Sequence, residues 1–355
     1  MSLDIWPPVS PGELSIKVAE AQKRELAWIV ARTLQTCEDL KHGLEDCYAL
    51  LAPVDPGSTL VMSTPRNERV KGTITRVGTR IVKGVNRMLL VNMWHILTRN
   101  LLSKSLGLQF RTIAQQTLTL SQAFPIHIHA LDTLHTHLTE SIDLLGLLLS
   151  NSKPSDADTD ASSSTANQAQ ALSSGLRLLA DSITNSIVLL KGPPLNELDT
   201  NWTTQSCPSS HFSPPLTQNF SFYVTLQECS IVLVLRALEP VDAPVHFGTK
   251  LGLAIGTYRR LEHDEADIVF KYKPGGDDMS DTRRLVANHS IQPPITRTVS
   301  NSQLEEVYVR EKVRVESADP SLISLYSKLG YLNIMLDQAR RNLDAVMSVQ
   351  LKTYT

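Results

Sequence analysis

The side chains best suited to chemistry include a group of histidines in the middle of the chain. A helical metal site needs ligands about one turn apart, as in an HExxH motif. No pair in this group has a spacing of four residues, and no cysteine lies near: His127, His129, His135 and His137. We interpret them as exposed or partly buried histidines, with a pH-sensitive patch as the alternative.

Phosphate-binding and nucleophilic motifs are also missing from the sequence. Gly248, Gly252 and Gly256 are spaced by four, which matches neither GxGxxG nor GxxxxGK[ST]. No GxSxG elbow occurs. No CxxC pair exists among the four cysteines, which are Cys37, Cys47, Cys207 and Cys229. The sequence therefore predicts a noncatalytic protein with no cofactor and no metal.

One charge feature favours binding. Residues 66–111 contain ten basic residues and one acidic residue, a net of +9 in a chain whose net charge is −2. Such a segment can attract acidic protein, nucleic acid or anionic lipid. Aromatic residues are sparse there, which argues against stacking on single-stranded nucleic acid. A partner-binding surface is predicted at Lys71, Arg80, Lys83 and Arg87; the alternative is a solvated strand face.

Length and composition indicate the general class of the protein. A chain of 355 residues, 42% hydrophobic and 20% charged, is typical of a globular protein with about two domains. The longest aliphatic runs are far shorter than the ~18 residues of a membrane span. The first residues carry Asp4 and three prolines rather than a signal peptide. We expect a cytosolic protein whose membrane contact is only peripheral.

The sequence predicts two long helices, one near each terminus. Apolar residues recur at alternating steps of three and four over 12–51 and again after Asp319-Pro320. Asp319 is a plausible N-cap with proline at the first helical position. The predicted seam core comprises Leu26, Val30, Cys37, Leu40, Leu44, Leu51, Leu322, Leu325, Leu329, Leu332, Leu336 and Leu343.

Two further helices are predicted in the middle of the chain. Their leucine and isoleucine seams run from Leu131 to Leu149 and from Leu172 to Leu190. Residues 150–170 between them contain no apolar residue larger than alanine, which predicts a flexible linker. Residues 193–215 and 273–303 are predicted to be irregular loops.

Strand patterns lie between the helices. Residues 69–76 alternate between apolar and polar side chains, and 220–235 predict a buried strand pair with a turn near Gln227-Glu228. A half-exposed strand is predicted at 307–315, with Val307, Val309, Val313 and Val315 on one face. Because strands and helices are segregated in blocks, we predict an α+β fold. A helical bundle is assigned to 12–56, 126–192 and 318–355, and an antiparallel β domain to 57–125 and 216–317.

Four blocks together resemble the Rogdi leucine-zipper family. They are Arg24–Val30, Val70–Gly78, Phe220–Pro240, and Val307–Glu316 with the helix that follows it. The resemblance implies a helical bundle plus a β domain, both discontinuous in sequence. It also implies the second subunit of a RAVE-type complex, which regulates assembly of the vacuolar and endosomal proton-transporting ATPase.

The resemblance also implies the partners. They are a large propeller-containing RAVE scaffold subunit and the cytosolic sector of the proton pump, with peripheral recruitment to vacuolar or endosomal membranes. Three other interpretations stay open: a generic coiled-coil scaffold or tether with unrelated partners, an enzyme with an unrecognised site, and a nucleic-acid binder using 66–111. No nucleic-acid partner is expected.

Overall fold

The protein divides into two compact units. The computed structural model describes residues 10–51, 57–64, 70–88, 116–121, 123–151, 161–194, 198–213, 215, 220–242, 264–265, 267–273 and 304–353. The helical unit contains Met1–Ala52, Leu131–Leu190 and Ser321–Thr355, and the β unit contains Pro53–Ala130 and Lys191–Pro320. Long helices and antiparallel sheets are separate, so the fold is α+β, as the block order predicts.

Four long helices make up the described part of the helical unit. They are α1 (Pro11–Leu51), α2 (His129–Ser150), α3 (Ala161–Lys191) and, last in the chain, α5 (Pro320–Thr353). Every residue of the predicted seam core is buried, and most of these side chains have no exposed surface at all. Residues three and four apart share one face of a helix, which is why the alternating pattern becomes a continuous buried stripe.

The two terminal helices are antiparallel neighbours. Lys328 Nζ on α5 lies 2.7 Å from Asp46 Oδ2 on α1. One turn away on both helices, Gly43 faces Leu332 so closely that a Cβ at position 43 would lie 2.5 Å from Leu332 Cδ2. The matching seams of the two helices predict this pairing, because either seam alone would leave an apolar stripe in water.

Helices α2 and α3 complete the bundle. The hydroxyls of Ser141 and Ser182 are 2.9 Å apart, which links the two helices. Ser173 on α3 donates to Asp344 Oδ1 on α5 at 2.9 Å. His135 Nε2 on α2 lies 3.0 Å from the Tyr48 hydroxyl on α1. Each middle helix therefore contacts one terminal helix.

The prediction of a flexible linker at 150–170 is wrong for its second half, which is helical. Helix α3 begins at Ala161, eleven residues before the leucine seam at Leu172, while Ser150 ends α2. Extending an existing helix costs far less than nucleating one, and alanine and glutamine favour it. Ala169 is buried, so a small residue is enough for packing there. Residues 152–160 lie outside the described part of the chain.

Within the described ranges, six strands form the first sheet of the β unit. They are β1 (Ser58–Ser63), β2 (Val70–Val77), β3 (Arg80–Met88), β4 (Gln116–Leu120), β5 (Ile126–His127) and β6 (Phe212–Ser213). Their order is β1-β2-β3-β4-β6, with β5 paired to β3. Residues 126–127 therefore belong to this sheet, which corrects the prediction that the helical bundle includes 126–192 from its first residue.

The second sheet has the order β7-β8-β10-β9. Its strands are β7 (Phe220–Gln227), β8 (Ser230–Pro240), β9 (Val269–Tyr272) and β10 (Glu305–Ala318). The hairpin β7–β8 confirms the predicted strand pair. Its two turn residues, Glu228 and Cys229, both have positive φ, which matches the right-handed twist of the flanking strands.

The two sheets pack face to face around an apolar core. The rings of Phe212 and Phe222, one from each sheet, lie 4.8 Å apart between centroids. A small cavity remains between the sheets, lined only by apolar residues and one glycine: Ile74, Ile81, Gly84, Leu120, Ile126, Phe212, Phe222 and Leu233. The β unit is thus a sandwich whose inner faces carry the alternating apolar residues.

A bulge in β10 overturns the prediction that its valines share one face. Val309 pairs with Leu238 and Glu311 with Ala237, so one extra residue is inserted. Because side chains alternate with a period of two, this insertion moves every later residue to the opposite face. Val309 faces the outer side of the second sheet, whereas Val315, which pairs with Leu233, faces the sandwich core.

Part of the predicted loop at 193–215 is ordered instead. It contains α4 (Trp202–Gln205), a 3-10 turn at Ser209–His211, and β6. Trp202 anchors this segment, because its ring is fully buried on the outer side of the second sheet. Its neighbours there are Tyr223, Leu238, Phe270, Tyr272, Val307 and Val309. Of the predicted loop 273–303, residues 274–303 lie outside the described part of the chain.

Candidate partner-binding surface

The four basic residues predicted to bind a partner occupy one face of the first sheet. In the β2–β3 ladder Lys71 pairs with Arg87, Thr75 with Lys83, and Val77 with Arg80. The alternate pairs, Ile74 with Gly84 and Arg76 with Ile81, belong to the core side. The register shifts between Thr75 and Arg76, and this bulge keeps Ile81 on the core side and Arg80 on the outer side. The register therefore brings together residues that are up to sixteen positions apart in sequence.

Hydroxyl residues surround these basic positions. The registers of β1 with β2 and of β3 with β4 add threonine, serine and valine to the same side of the sheet. We call this side the outer basic face. Its ladder positions are Thr59, Val61, Ser63, Lys71, Thr73, Thr75, Val77, Arg80, Lys83, Val85, Arg87, Thr117 and Thr119.

The outer basic face is open to solvent. Thr59, Thr73, Arg80 and Lys83 are exposed, and Val61 retains 63% of its surface. Within the described part of the chain, Arg80 and Lys83 have no carboxylate partner. The strand sequences of β1–β4 contain no acidic and no aromatic residue. The positive charge of this face is therefore not neutralised by its own strands.

Arg76 does not belong to this surface, although the charge count includes it. Its side chain is fully buried, and Nε donates to Asp319 Oδ2 at 2.6 Å. Its Nη1 donates to the Gly78 carbonyl oxygen at 2.5 Å. Arg76 therefore stabilises the sandwich interior. Five other basic residues of the segment lie outside the described part of the chain: Arg66, Arg69, Arg99, Lys104 and Arg111.

A second charged cluster lies on the outer side of the second sheet. Arg236 forms a bidentate ion pair with Glu265, in which Nε lies 2.6 Å from Oε2 and Nη2 lies 2.8 Å from Oε1. Lys312 lies 2.7 Å from the same carboxylate and 2.8 Å from Asp264. The Arg236 guanidinium also stacks 4.6 Å from the centroid of Trp202. Sequence reasoning missed this cluster; the signals were a lone arginine inside an apolar strand and a lone tryptophan in a polar stretch.

The charges of this cluster hold Glu265 ionised. Burial by itself would raise the pKa of the Glu265 carboxyl. Hydrogen bonds and charge from Arg236 and Lys312 outweigh burial, so the pKa falls below its ordinary value. Two further basic side chains on this sheet are matched, because Arg310 pairs with Glu239 and Arg314 with Glu316. Most of the positive charge on the second sheet is thus compensated by carboxylates, whereas Arg80 and Lys83 on the first sheet have no carboxylate partner among the described residues.

The cysteines are placed where they react poorly. Burial raises the pKa of Cys37, Cys47 and Cys207 to about 12 in each case. The thiolate is the reactive form, so these thiols are weak nucleophiles at neutral pH. Cys37 and Cys47 instead fill seam positions of α1 as small apolar side chains.

The histidine group does not converge. His127 lies on β5 and is exposed, His129 begins α2, and His135 contacts Tyr48. Among the described residues, no three His, Cys, Asp or Glu side chains are arranged to hold a metal ion. None of the helices in the described ranges has a stretch that is both long and apolar enough to cross a bilayer.

A comparison with known families shows the family of the chain. The family model described as Rogdi leucine zipper containing protein matches residues 25–344. The chain belongs to the Rogdi leucine-zipper family. The match covers nearly the whole chain and includes segments of both units. A search of curated proteins finds no match.

In this Rogdi-family chain, three of the four resembling blocks meet inside the β unit. The block Val70–Gly78 forms β2 and the turn after it, Phe220–Pro240 forms the β7–β8 hairpin, and Val307–Glu316 lies in β10. Arg76 of the block Val70–Gly78 bonds Asp319, which directly follows β10. The Asp319 amide in turn donates to the Cys229 carbonyl oxygen in the hairpin turn, at 3.3 Å. The remaining block, Arg24–Val30, lies on α1 in the helical unit.

Proposed function

We propose that this protein is a noncatalytic subunit of a RAVE-type complex that promotes assembly of the vacuolar and endosomal proton-transporting ATPase. Its action would support acidification of these organelles. The observation that carries the proposal is the family match over residues 25–344. The proposed partners are a large propeller-containing scaffold subunit and the cytosolic sector of the pump. The protein would be cytoplasmic and would be recruited peripherally to the membrane.

The character of the described surfaces supports an adaptor role. The outer basic face is exposed and its charge is not neutralised by its own strands, whereas the buried polar groups serve the interior of the fold. Exposed large apolar side chains on the helical bundle, such as Trp28, Tyr331 and Ile334, offer further contact area. The proposal assigns no catalytic residue, no cofactor and no metal.

Affinity capture tests the proposal directly. The tagged full-length chain, expressed in its own cells, is recovered from extract and its associated proteins are identified by mass spectrometry. We expect enrichment of a propeller-containing scaffold and of cytosolic pump subunits over a tag-only control. Recovery of a reproducible but unrelated set of proteins would instead favour a generic scaffold or tether.

Organelle pH provides the second measurement. Cells lacking the protein should acidify vacuoles or endosomes poorly, most clearly after a stress that separates the two sectors of the pump. Re-expression of the wild-type chain should restore acidification. Normal organelle pH and normal pump reassembly in the deletion cells would overturn the proposal.

A further inference from the structure

We propose that the outer basic face binds a short, extended, acidic segment of a protein partner. The inference concerns the chemistry of the partner and does not depend on which complex the protein joins. It rests on the ladder register of β1–β4, which collects positive and hydroxyl positions on one exposed side.

The charge of the face sets the sign of its partner. Arg80 and Lys83 are exposed and lack a carboxylate partner among the described residues, and Lys71 and Arg87 are direct ladder partners. On the second sheet, by contrast, Arg236, Arg310, Lys312 and Arg314 each lie against a carboxylate. Positive charge that is left uncompensated on one side of a sheet attracts and orients an acidic partner.

The spacing of the positive charges favours an extended segment. Lys83 and Arg87 are four residues apart on β3, which corresponds to about 13 Å along a strand. Arg80 extends the row by three more residues in the other direction. In an extended chain, carboxylates at alternate positions repeat about every 6.7 Å, so every second one matches this separation. A peptide lying along β3 would therefore meet the row in register.

The size and composition of the face favour a short, polar partner. Four strands about 4.8 Å apart and about 20 Å long cover a flat area of roughly 400 Å², which suits a peptide segment better than a globular partner that contributes ~800 Å² of accessible surface. Because the strand sequences contain no aromatic residue, the face has no platform for stacking bases. The ladder positions of the face carry no apolar side chain larger than valine, whereas insertion into a bilayer favours Trp, Phe and Leu. Its threonine and serine hydroxyls suit a peptide, since they both donate and accept hydrogen bonds.

Binding of synthetic probes tests the inference on the full-length chain. The probe is a fluorescein-labelled peptide of alternating glutamate and serine, and its matched control alternates glutamine and serine. Fluorescence anisotropy at low salt should show binding of the glutamate peptide only. That binding should weaken as salt is raised, because exposed charges are screened.

Charge reversal locates the site. The double variant Arg80→Glu/Lys83→Glu should lose about tenfold or more in affinity for the glutamate peptide, and adding Lys71→Glu and Arg87→Glu should abolish binding. The matched control reverses two exposed cations on α1, Lys23→Glu and Arg32→Glu, and should keep its affinity within about twofold. Unchanged melting temperatures confirm that the variants remain folded.

The opposite results are equally clear. If both double variants bind the glutamate peptide as the wild type does, or if the wild type does not bind it, the inference is wrong. Vesicles of phosphatidylcholine with phosphatidylserine and a single-stranded oligonucleotide are tested in parallel. Binding of either one in preference to the peptide, lost in the Arg80/Lys83 variant, would reassign the face to membrane or nucleic acid.

Discussion

Arg76 and Asp319 form an ion pair with no exposed surface on either side chain, and Nε lies 2.6 Å from Oδ2. Arg76 ends the core side of β2, and Asp319 follows the last residue of β10. The pair therefore ties the first sheet of the sandwich to the end of the second. The Ser58 hydroxyl of β1 lies 3.5 Å from the other carboxylate oxygen of Asp319.

Removing one partner of this pair should be costly. Asp319→Ala leaves the Arg76 guanidinium buried without its carboxylate, and we expect a loss of about 3–5 kcal/mol in the free energy of unfolding. The control Asp264→Ala removes an exposed carboxylate and should cost less than about 1 kcal/mol. Urea unfolding measures both. In a double-mutant cycle with Arg76→Met, the coupling free energy should be about 1–3 kcal/mol; strictly additive losses would mean that the two residues do not interact.

Gly84→Ala should stabilise the protein. A Cβ at this position would lie 3.6 Å from Ile74 Cγ2 and 3.7 Å from Leu120 Cβ, both ordinary contacts, and it would fill part of the cavity between the sheets. Alanine also restricts the unfolded chain, so the expected gain is about 0.5–1 kcal/mol. Thermal unfolding gives the sign.

Gly192→Ala is the contrasting variant for that experiment. Gly192 has a φ of +72°, and a Cβ there would overlap with the Leu226 carbonyl oxygen. Backbone cannot move aside as easily as a side chain, so we expect a loss of more than about 1 kcal/mol. A stabilised Gly192→Ala variant would contradict the backbone conformation at this position.

Glu265 should make stability depend on pH in the acid range. Its pKa is lower in the folded state than in the unfolded chain, so its contribution is present above the unfolded pKa of about 4.3 and is lost as pH falls through the folded pKa. Glu265→Gln cannot ionise. The stability difference between wild type and variant should therefore be constant near neutral pH and should shrink below about pH 4. Urea midpoints at a series of pH values measure the difference; a gap that does not change with pH would show that Glu265 has no depressed pKa.

The seam of α5 distinguishes buried from exposed positions only two residues apart. Leu336 is fully buried, whereas Ile334 is 72% exposed. Leu336→Asp should cost about 3–5 kcal/mol, because an unpaired charge would be buried in the bundle. Ile334→Asp should change the stability by less than about 0.5 kcal/mol. Helical circular dichroism during thermal unfolding reports both. Equal melting temperatures for the two variants would mean that the seam is assigned to the wrong face.

The sequence was most informative where a local pattern repeats. The seams of α1 and α5 follow the helical period for many turns, so their buried residues could be named in advance, Leu336 among them. The β7–β8 hairpin could also be predicted, since its apolar strands flank a short turn. The predicted flexible linker failed in its second half because alanine and serine do not reveal whether a neighbouring helix will extend through them. Tertiary packing, as at the buried Ala169, is not visible in the composition of the segment.

Charge was harder to interpret than hydrophobicity. Arg76 and Lys83 belong to the same basic segment, yet Arg76 is buried against Asp319 and Lys83 is exposed. Whether each side chain is buried depends on the side of the sheet that it occupies. For Arg76 it also depends on the Asp319 carboxylate, 243 positions away in sequence. Neither fact is encoded in the spacing of the basic residues alone.

The sequence by itself determined the α+β class, the four long helices, their seams, and the family resemblance. Each of these depends on local periodicity or on blocks of contiguous residues. The tertiary structure alone decided the Arg76–Asp319 and Arg236–Glu265 pairs, the burial of Trp202, and the reversal of faces along β10. These features depend on strand register and on single-residue bulges, and a shift of one residue in register exchanges the buried and exposed faces of a strand.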